Sequence, residues 1–151
     1  MHQKILVPFD GSEPAKHALV AALDLVSLVP GGQVTILKVR EKVEDEAFRV
    51  AARMASVTPD VIETTLEGEA GEAALQTLKD STARIVAGKE DLVTYDVIGG
   101  NPHDAIVAYA ARGDYDCISM GHRGMSAVRA MLGSVCYSVL GKSDIPVYIA
   151  K

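Results

Sequence analysis

Two short glycine-containing segments are the places where this sequence could bind a small anion. One is Gly121-His122-Arg123-Gly124, and the other is the pair Gly133-Ser134, which precedes a helical pattern. Glycine lacks a Cβ atom, so its backbone N–H can approach an anion closely and the residue can adopt a positive φ. Ser134 would add a hydroxyl and the free N–H groups of a helix start, and Arg123 would add a cation. The pattern favours a phosphate, although an ordinary loop followed by a helix cap would look the same.

Asp10 follows the first apolar run of the chain and is another candidate. The run covers residues 4–8, and Asp10-Gly11-Ser12 comes directly after Phe9. The carboxylate of Asp10 could accept hydrogen bonds from ribose hydroxyls, or it could serve only as a turn residue before the helix cap Ser12. Ligands of doubly wound sheets bind beyond the carboxyl ends of the strands, where the strand order reverses. If the first and fourth strands are neighbours, Asp10 and the glycine segments face one cleft.

Apolar runs alternate with helical patterns along the whole chain. The predicted strands are residues 4–8, 34–39, 92–98, 115–120 and 145–150. Helices are predicted after Ser12, over residues 72–87, after Asn101 and after Gly133, because capping residues or apolar positions at helical spacing occur there. Residues 44–54 could be helical, and residues 61–66 could be extended. This alternation indicates a three-layer α/β fold, in which a doubly wound parallel sheet carries helices on both faces.

Composition limits the classes of function. With 151 residues, a single domain over residues 1–151 is the default expectation. A net charge of −5 with scattered Lys and Arg argues against nucleic acid as a partner. No apolar run is long enough to span a membrane and the start does not read as a signal peptide, so a cytoplasmic protein is expected. Cys117 and Cys136 lack a metal-ligand spacing and are expected to be buried and inert, so no metal held by side chains is expected.

Five segments, in order and spacing, together resemble the universal stress protein family over nearly the whole chain. They are Ile5-Leu6-Val7-Pro8-Phe9-Asp10-Gly11-Ser12, Gly100-Asn101-Pro102, Gly121-His122-Arg123-Gly124, Gly133-Ser134-Val135 and Ile145-Pro146-Val147. The resemblance implies a five-stranded parallel sheet of order 3-2-1-4-5, the adenine nucleotide alpha hydrolase-like fold. It also implies a homodimer joined along the last strand, where an uncovered edge invites pairing.

The same resemblance implies an ATP site, with AMP or ADP as related ligands. Asp10 would contact the ribose, and the backbone of Val39 would contact adenine beside Pro8 and Phe9. The residues implied around the ribose and the phosphates are Met120, Gly121, Arg123, Gly124, Gly133, Ser134 and Val135. Mg²⁺ or Mn²⁺ would be held mainly by phosphate oxygens and water.

The sequence is therefore compatible with two functions. The first is an ATP-binding regulator of a stress response or of signalling. The second is a dimeric interaction module that binds no nucleotide. Its support is the spacing between Gly124 and Gly133, which are separated by eight residues, one fewer than in the ATP-binding members of the family. An enzyme is not expected, since no nucleophile with a neighbouring base is found and the loop after the first strand lacks the Ser-Gly-Gly-x-Asp-Ser pattern of ATP-cleaving synthetases. Any ATP hydrolysis would be slow and incidental.

Overall fold

One parallel sheet organises the chain. The structure is a computed structural model, and it describes residues 3–41, 59–124 and 131–151. The five strands of the sheet stand in the order β3-β2-β1-β4-β5, which confirms the predicted order. Their bounds are β1 Lys4–Pro8, β2 Gln33–Arg40, β3 Val93–Gly99, β4 Cys117–Gly121 and β5 Val147–Ala150. Every adjacent pair is parallel.

The described helices cover both faces of this sheet. They are α1 Glu13–Ser27, α2 Pro59–Val86, α3 Pro102–Arg112 and α4 Ser134–Lys142, with a 3-10 turn at Glu90–Leu92. Ile5, Leu6 and Val7 of β1 have no exposed surface. Ile5 and Val7 pack in one apolar cluster with residues of α1 and α2, and Leu6 packs in another with residues of α3 and α4. Because β1 is buried on both faces, successive residues of the strand are all apolar and do not alternate with polar ones.

Two helices begin where the capping residues predict. The hydroxyl of Ser12 accepts a hydrogen bond from the backbone N–H of Ala15 at 3.2 Å, and α1 follows with a proline in its first turn. The side chain of Asn101 accepts from the N–H of His103 at 2.9 Å, and α3 follows with Pro102 at its start. These caps satisfy N–H groups that have no partner within the helix.

Two predictions about the elements were wrong. Residues 61–66 are not extended, because α2 already begins at Pro59. The β-branched residues there favour a strand, but a proline at the first helical position is compatible with a helix start. Apolar spacing also predicts that Leu140 faces inward from α4, whereas its side chain is 48% exposed. The predicted helix at residues 44–54 lies outside the described residues.

The reversal of strand order places a crevice between β1 and β4. From β1 the chain goes through α1 to β2 on one side, whereas β4 pairs with β1 on the other side. The carboxyl ends of β1 and β4 therefore diverge into α1 and into the segment that precedes α4. Within the described ranges, no helix has both the length and the apolar character needed to cross a membrane.

Candidate functional site

A cleft of about 1470 Å³ lies at the carboxyl ends of β1, β2 and β4. The starts of α3 and α4 complete its walls. All the residues that the sequence predicts for a nucleotide site line it: Pro8, Phe9, Asp10, Val39, Met120, Gly121, Arg123, Gly124, Gly133, Ser134 and Val135. The structure therefore brings these residues to one place, as expected for a ligand at a topological switch point.

The two glycine segments are in direct contact. We call residues 121–124 and 133–135 the cradle. The backbone N–H of Gly133 donates to the carbonyl oxygen of His122 at 2.7 Å. A Cβ atom built on Gly133 would lie only 2.9 Å from the Cα atom of Arg123. The shorter spacing between Gly124 and Gly133 thus leaves both halves of the cradle together.

The start of α4 supplies backbone N–H groups to this cradle. Gly133 is the N-cap residue, and it has no side chain with which to accept a hydrogen bond from the first turn. By contrast, the start of α1 is capped by its own Ser12. Free N–H groups and the helix dipole favour an anion at an uncapped start. The hydroxyl-bearing Ser134 is exposed beside these groups.

The glycines of the cradle are needed for space and not for an unusual backbone conformation. Neither Gly121 nor Gly124 uses the positive φ that glycine can adopt. A Cβ on Gly121 would lie 2.8 Å from the backbone N of Ala15 and from the carbonyl carbon of Pro14. A Cβ on Gly124 would lie 2.9 Å from Oδ2 of Asp10. Close packing against α1 and against the Asp10 carboxylate therefore requires glycine at both positions.

Asp10 combines a turn role with a place in the cleft. Its Oδ1 accepts a hydrogen bond from the backbone N–H of Ser12 at 2.9 Å, which fixes the turn before α1. Its Oδ2 faces Gly124 across the cleft floor. Gly11, which lies between Asp10 and Ser12 in the turn, has a φ of +85°, a conformation that glycine adopts without strain. The turn therefore holds the second carboxylate oxygen toward the cradle, where it can accept a further hydrogen bond.

The backbone of Val39 lies beside the point where β1 has ended. The N–H of Phe9 donates to the carbonyl of Leu37 at 2.9 Å on the β1 side, and the N–H of Gly100 donates to the carbonyl of Arg40 at 2.9 Å on the β3 side. Because the bonding direction alternates along a strand, Val39 directs its N–H and C=O toward β1. The pairing of β1 with β2 ends with Pro8 opposite Leu37, and among the described residues no backbone hydrogen bond joins the N–H or C=O of Val39 to the chain beyond Pro8. The pair is available to a planar ligand that both donates and accepts.

Residues of α3 complete the wall opposite β1, and sequence reasoning missed them. Pro102, His103 and Ile106 line the cleft because α3 begins at the same edge of the sheet. The helix start that Gly100-Asn101-Pro102 predicts is a signal that could have placed these residues at the ligand edge. Charged side chains also line the cleft, three of them cationic and two acidic: Lys38, Arg40, Arg123, Asp10 and Glu41. The lining is therefore more positive than the chain, whose net charge is −5.

Both cysteines are buried, and Cys136 forms part of the cleft wall. Burial raises the pKa of the Cys136 and Cys117 thiols above the usual range, so neither is an activated nucleophile at neutral pH. We expect Ellman's reagent at pH 7.5 to label the native protein slowly at both thiols and to label it rapidly in urea. Fast labelling of the native protein would show that a thiol is accessible and contradict this assignment.

The whole chain, residues 1–151, matches the model of the universal stress protein family. The chain belongs to this family. It is 29% identical to the stress response protein NhaX of Bacillus subtilis, covering 98% of this chain and 97% of that protein. It is 30% identical to the universal stress protein MJ0577 of Methanocaldococcus jannaschii, covering 100% of this chain and 96% of that protein.

The solved structures of universal stress proteins share the fold. MJ0577 superposes with a TM-score of 0.76 at 28% identity, covering 100% of this chain and 96% of that chain. A universal stress protein in complex with cAMP has a TM-score of 0.67 at 22% identity, covering 99% of this chain and 97% of that one. The protein from Archaeoglobus fulgidus in complex with dAMP has a TM-score of 0.55 at 22% identity, covering 99% and 98%. The present fold is thus the adenine nucleotide alpha hydrolase-like fold of this family.

Proposed function

We propose that this universal stress protein binds ATP in the cleft and acts as a nucleotide-dependent regulator in a stress response or in signalling. The observation that carries the proposal is the contact between the two halves of the cradle at the uncapped start of α4. The N-cap residue Gly133 offers the first turn of α4 no side-chain acceptor, and a triphosphate could accept from the N–H groups of that turn. Arg123, which lines the cleft beside them, adds a cation for the phosphate charge.

The other end of the cleft suits adenosine. The available N–H and C=O of Val39 complement adenine, which has an amino donor and ring-nitrogen acceptors on adjacent atoms. The buried side chains of Phe9 and Ile106 offer apolar contact to the base. Oδ2 of Asp10 is placed to accept from a ribose hydroxyl. Two proteins of the same fold were solved with the adenine nucleotides cAMP and dAMP, which supports an adenine nucleotide as the ligand class, with AMP and ADP as related ligands.

A divalent ion is proposed to accompany the phosphates. In the part of the chain that the structure describes, no group of three or more His, Cys, Asp or Glu side chains is placed to hold a metal ion. Mg²⁺ and Mn²⁺ would therefore be held through phosphate oxygens and water, an arrangement that Mg²⁺ prefers. The ion would neutralise phosphate charge that Arg123 and the helix start leave uncompensated.

The remaining parts of the proposal concern assembly and chemistry. The chain is proposed to form a single domain over residues 1–151 that acts in the cytoplasm without nucleic acid. Two copies are proposed to pair along β5, which is an edge of the sheet. Regulation is proposed in place of catalysis, because the thiol in the cleft wall is buried and its pKa is raised. The rival function, a dimeric module without nucleotide, rests on the shorter cradle spacing, and the contact between Gly133 and His122 weakens that support.

Mg-ATP binding and the variant Ser134→Asp together test the proposal. Mg-ATP at one hundred times its Kd should raise the free energy of unfolding by about 2.7 kcal/mol. In Ser134→Asp, an anion at the start of α4 repels the phosphates, so we expect ATP affinity measured by calorimetry to fall at least about tenfold. The same charge favours the helix dipole by about 0.3–1 kcal/mol, so stability should be kept or raised.

The control is Ser81→Asp, which adds the same charge to an exposed position of α2. Its ATP affinity should equal that of the unmodified chain. If millimolar Mg-ATP neither binds nor stabilises the unmodified protein, the proposed function is wrong and the dimeric module takes its place. If ATP binds but Ser134→Asp binds it equally well, the phosphates do not lie at α4.

A further inference from the structure

The cradle is tied by hydrogen bonds to the last strand of the sheet. The carbonyl oxygen of His122 accepts from Gly133, and the backbone N–H of His122 donates to the carbonyl oxygen of Ala150 at 2.7 Å. The His122 ring adds a second link, because its Nδ1 lies 3.1 Å from the same carbonyl. A carbonyl only accepts, so Nδ1 carries the proton in this contact. His122 thus connects the segment that would hold phosphate to the end of β5.

The edge formed by β5 is the uncharged edge of the sheet. Its four residues are Val147, Tyr148, Ile149 and Ala150, none of which carries a charge. The opposite edge strand β3 includes Asp96, and charges on an edge oppose pairing with another chain. Two copies of a chain with net charge −5 repel each other, so they can meet most favourably at a neutral surface.

Exposed apolar side chains flank this edge on both faces of the sheet. Val147 and Ile149 pack in the cluster under α3 and α4, so alternation places Tyr148 on the α1 face, where it is 45% exposed. On the other face, Tyr137 and Leu140 of α4 are 72% and 48% exposed. Lys142 of α4 reaches Asp104 of α3 at 2.7 Å, and Tyr137 lies about 140° around the helix from Lys142. Tyr137 therefore lies on the side of α4 away from Lys142, and it also lines the cleft.

A second copy of the chain fits this arrangement. A two-fold axis perpendicular to the sheet would pair β5 with its symmetry mate in antiparallel fashion and would keep each face of the sheet continuous. Across such an axis α4 meets α4 of the second copy, and Tyr148 meets the α1 face of that copy. We call the line along which the two β5 strands would meet the seam. Apolar side chains are exposed on both faces of the sheet beside it, where pairing would bury them.

We propose that nucleotide binding in the cradle and pairing of two copies along β5 are coupled through His122, so that each strengthens the other. The inference rests on the proposed function. A phosphate bound in the cradle would fix the position of His122, and the two contacts of His122 with the Ala150 carbonyl would hold the end of β5 in the geometry that pairs with a second copy. The helix α4 contributes to the coupling, because its start belongs to the cradle, its Tyr137 lines the cleft and its Leu140 is exposed for contact with the second copy. Reciprocity then requires that pairing raise nucleotide affinity by the same factor.

The test measures the dimer dissociation constant by analytical ultracentrifugation with and without saturating Mg-ATP, while calorimetry measures ATP binding directly. Mg-ATP should tighten the dimer by about 5- to 150-fold, the usual range for coupled sites. His122→Ala keeps the backbone hydrogen bonds and loses the ring contact. Because His122 belongs to the cradle, calorimetry first measures the variant's own ATP affinity, and Mg-ATP at a concentration that saturates the variant should tighten its dimer by a factor several-fold smaller than in the unmodified chain. The matched control is His17→Ala, because the His17 ring contacts the carbonyl of Lys151 from α1, and no hydrogen bond among the described residues joins that ring to the cradle. Its coupling factor should be unchanged.

A monomeric variant supplies the reciprocal measurement. Leu140→Glu places a charge in the seam without altering a residue that lines the cleft, so it should weaken the dimer and lower ATP affinity by the coupling factor. ATP binding with an unchanged dimer constant overturns the coupling and leaves the proposed function standing, and so does a chain that stays monomeric at every concentration. If the coupling factor is the same in His122→Ala and in the unmodified chain, His122 does not transmit the coupling between nucleotide binding and pairing. Absence of ATP binding by the unmodified chain overturns both proposals.

Discussion

Replacing Gly133 by alanine is expected to remove ATP binding and to destabilise the fold at the same time. The added Cβ would lie 2.9 Å from the Cα of Arg123 and 3.4 Å from the carbonyl oxygen of His122. Backbone atoms cannot turn aside as a flexible side chain can, so the two halves of the cradle must separate. Overpacking of this kind costs about 1–3 kcal/mol. Urea denaturation should show that loss, and calorimetry should show no ATP binding at millimolar concentration.

A second glycine-to-alanine variant, at a position with room for a Cβ atom, tests whether the loss of stability in Gly133→Ala comes from close packing or from the change of residue type itself. Gly68 lies in α2 without a positive φ, and a Cβ atom added there would meet nothing within 4 Å. Gly68→Ala should therefore raise stability by about 0.5–1 kcal/mol, the usual difference between the two residues in a helix. If Gly133→Ala kept full stability and lost only ATP binding, the glycine would serve ligand approach alone, and the packing argument would be wrong.

Replacing Asp10 by alanine is expected to weaken ATP binding by about 10- to 100-fold, because a hydrogen bond to a charged group contributes about 1.5–3 kcal/mol. The loss of Oδ1 also leaves the N–H of Ser12 without its acceptor and should cost about 1 kcal/mol of stability. Calorimetry with ATP measures the first effect and urea denaturation the second. Both effects follow from one carboxylate whose two oxygens have different partners.

Asp10→Asn separates these two effects. Its amide oxygen can still accept from Ser12, so stability should be nearly unchanged, while the neutral group should accept more weakly from a ribose hydroxyl. Asp24→Ala is the control, since Asp24 is exposed and its carboxylate forms an ion pair with Lys89 at 3.0 Å. It should bind ATP as the unmodified chain does and lose at most about 1 kcal/mol. ATP affinity that is equal in Asp10→Ala and the unmodified chain would place the ribose elsewhere.

The size of the cleft is relevant to which nucleotide it would hold. Its volume of about 1470 Å³ exceeds the range of roughly 300–1,000 Å³ that is typical of small-molecule sites. A triphosphate is thus not excluded by size, and the number of phosphates would be decided by the donors of the cradle. The same donors would serve AMP and ADP with fewer contacts, so affinity should rise with phosphate number if the phosphates lie at α4.

Local patterns in the sequence determined the elements of this protein. Helix starts at Ser12 and Asn101 follow from the hydrogen bonds that neighbouring residues make with each other. Strand β1 follows from a short continuous apolar run, the pattern typical of a strand that is buried on both faces. The residues themselves indicated the glycine segments, Arg123 and Asp10 as candidates, and the resemblance to a family added the strand order and five more cleft residues: Pro8, Phe9, Val39, Met120 and Val135. Where the local pattern was ambiguous, at residues 61–66, the prediction was wrong.

Only the tertiary structure decided why the site has its particular residues. Gly121 must be glycine because Pro14 and Ala15 pack against it, and Gly124 because Asp10 does. Each of these contacts joins residues that are about a hundred positions apart, and no local pattern records such a distance. Closure of the shorter cradle likewise depends on the hydrogen bond between Gly133 and His122. Sequence periodicity reports which side of an element is buried, whereas close packing between distant backbones exists only once the chain has folded.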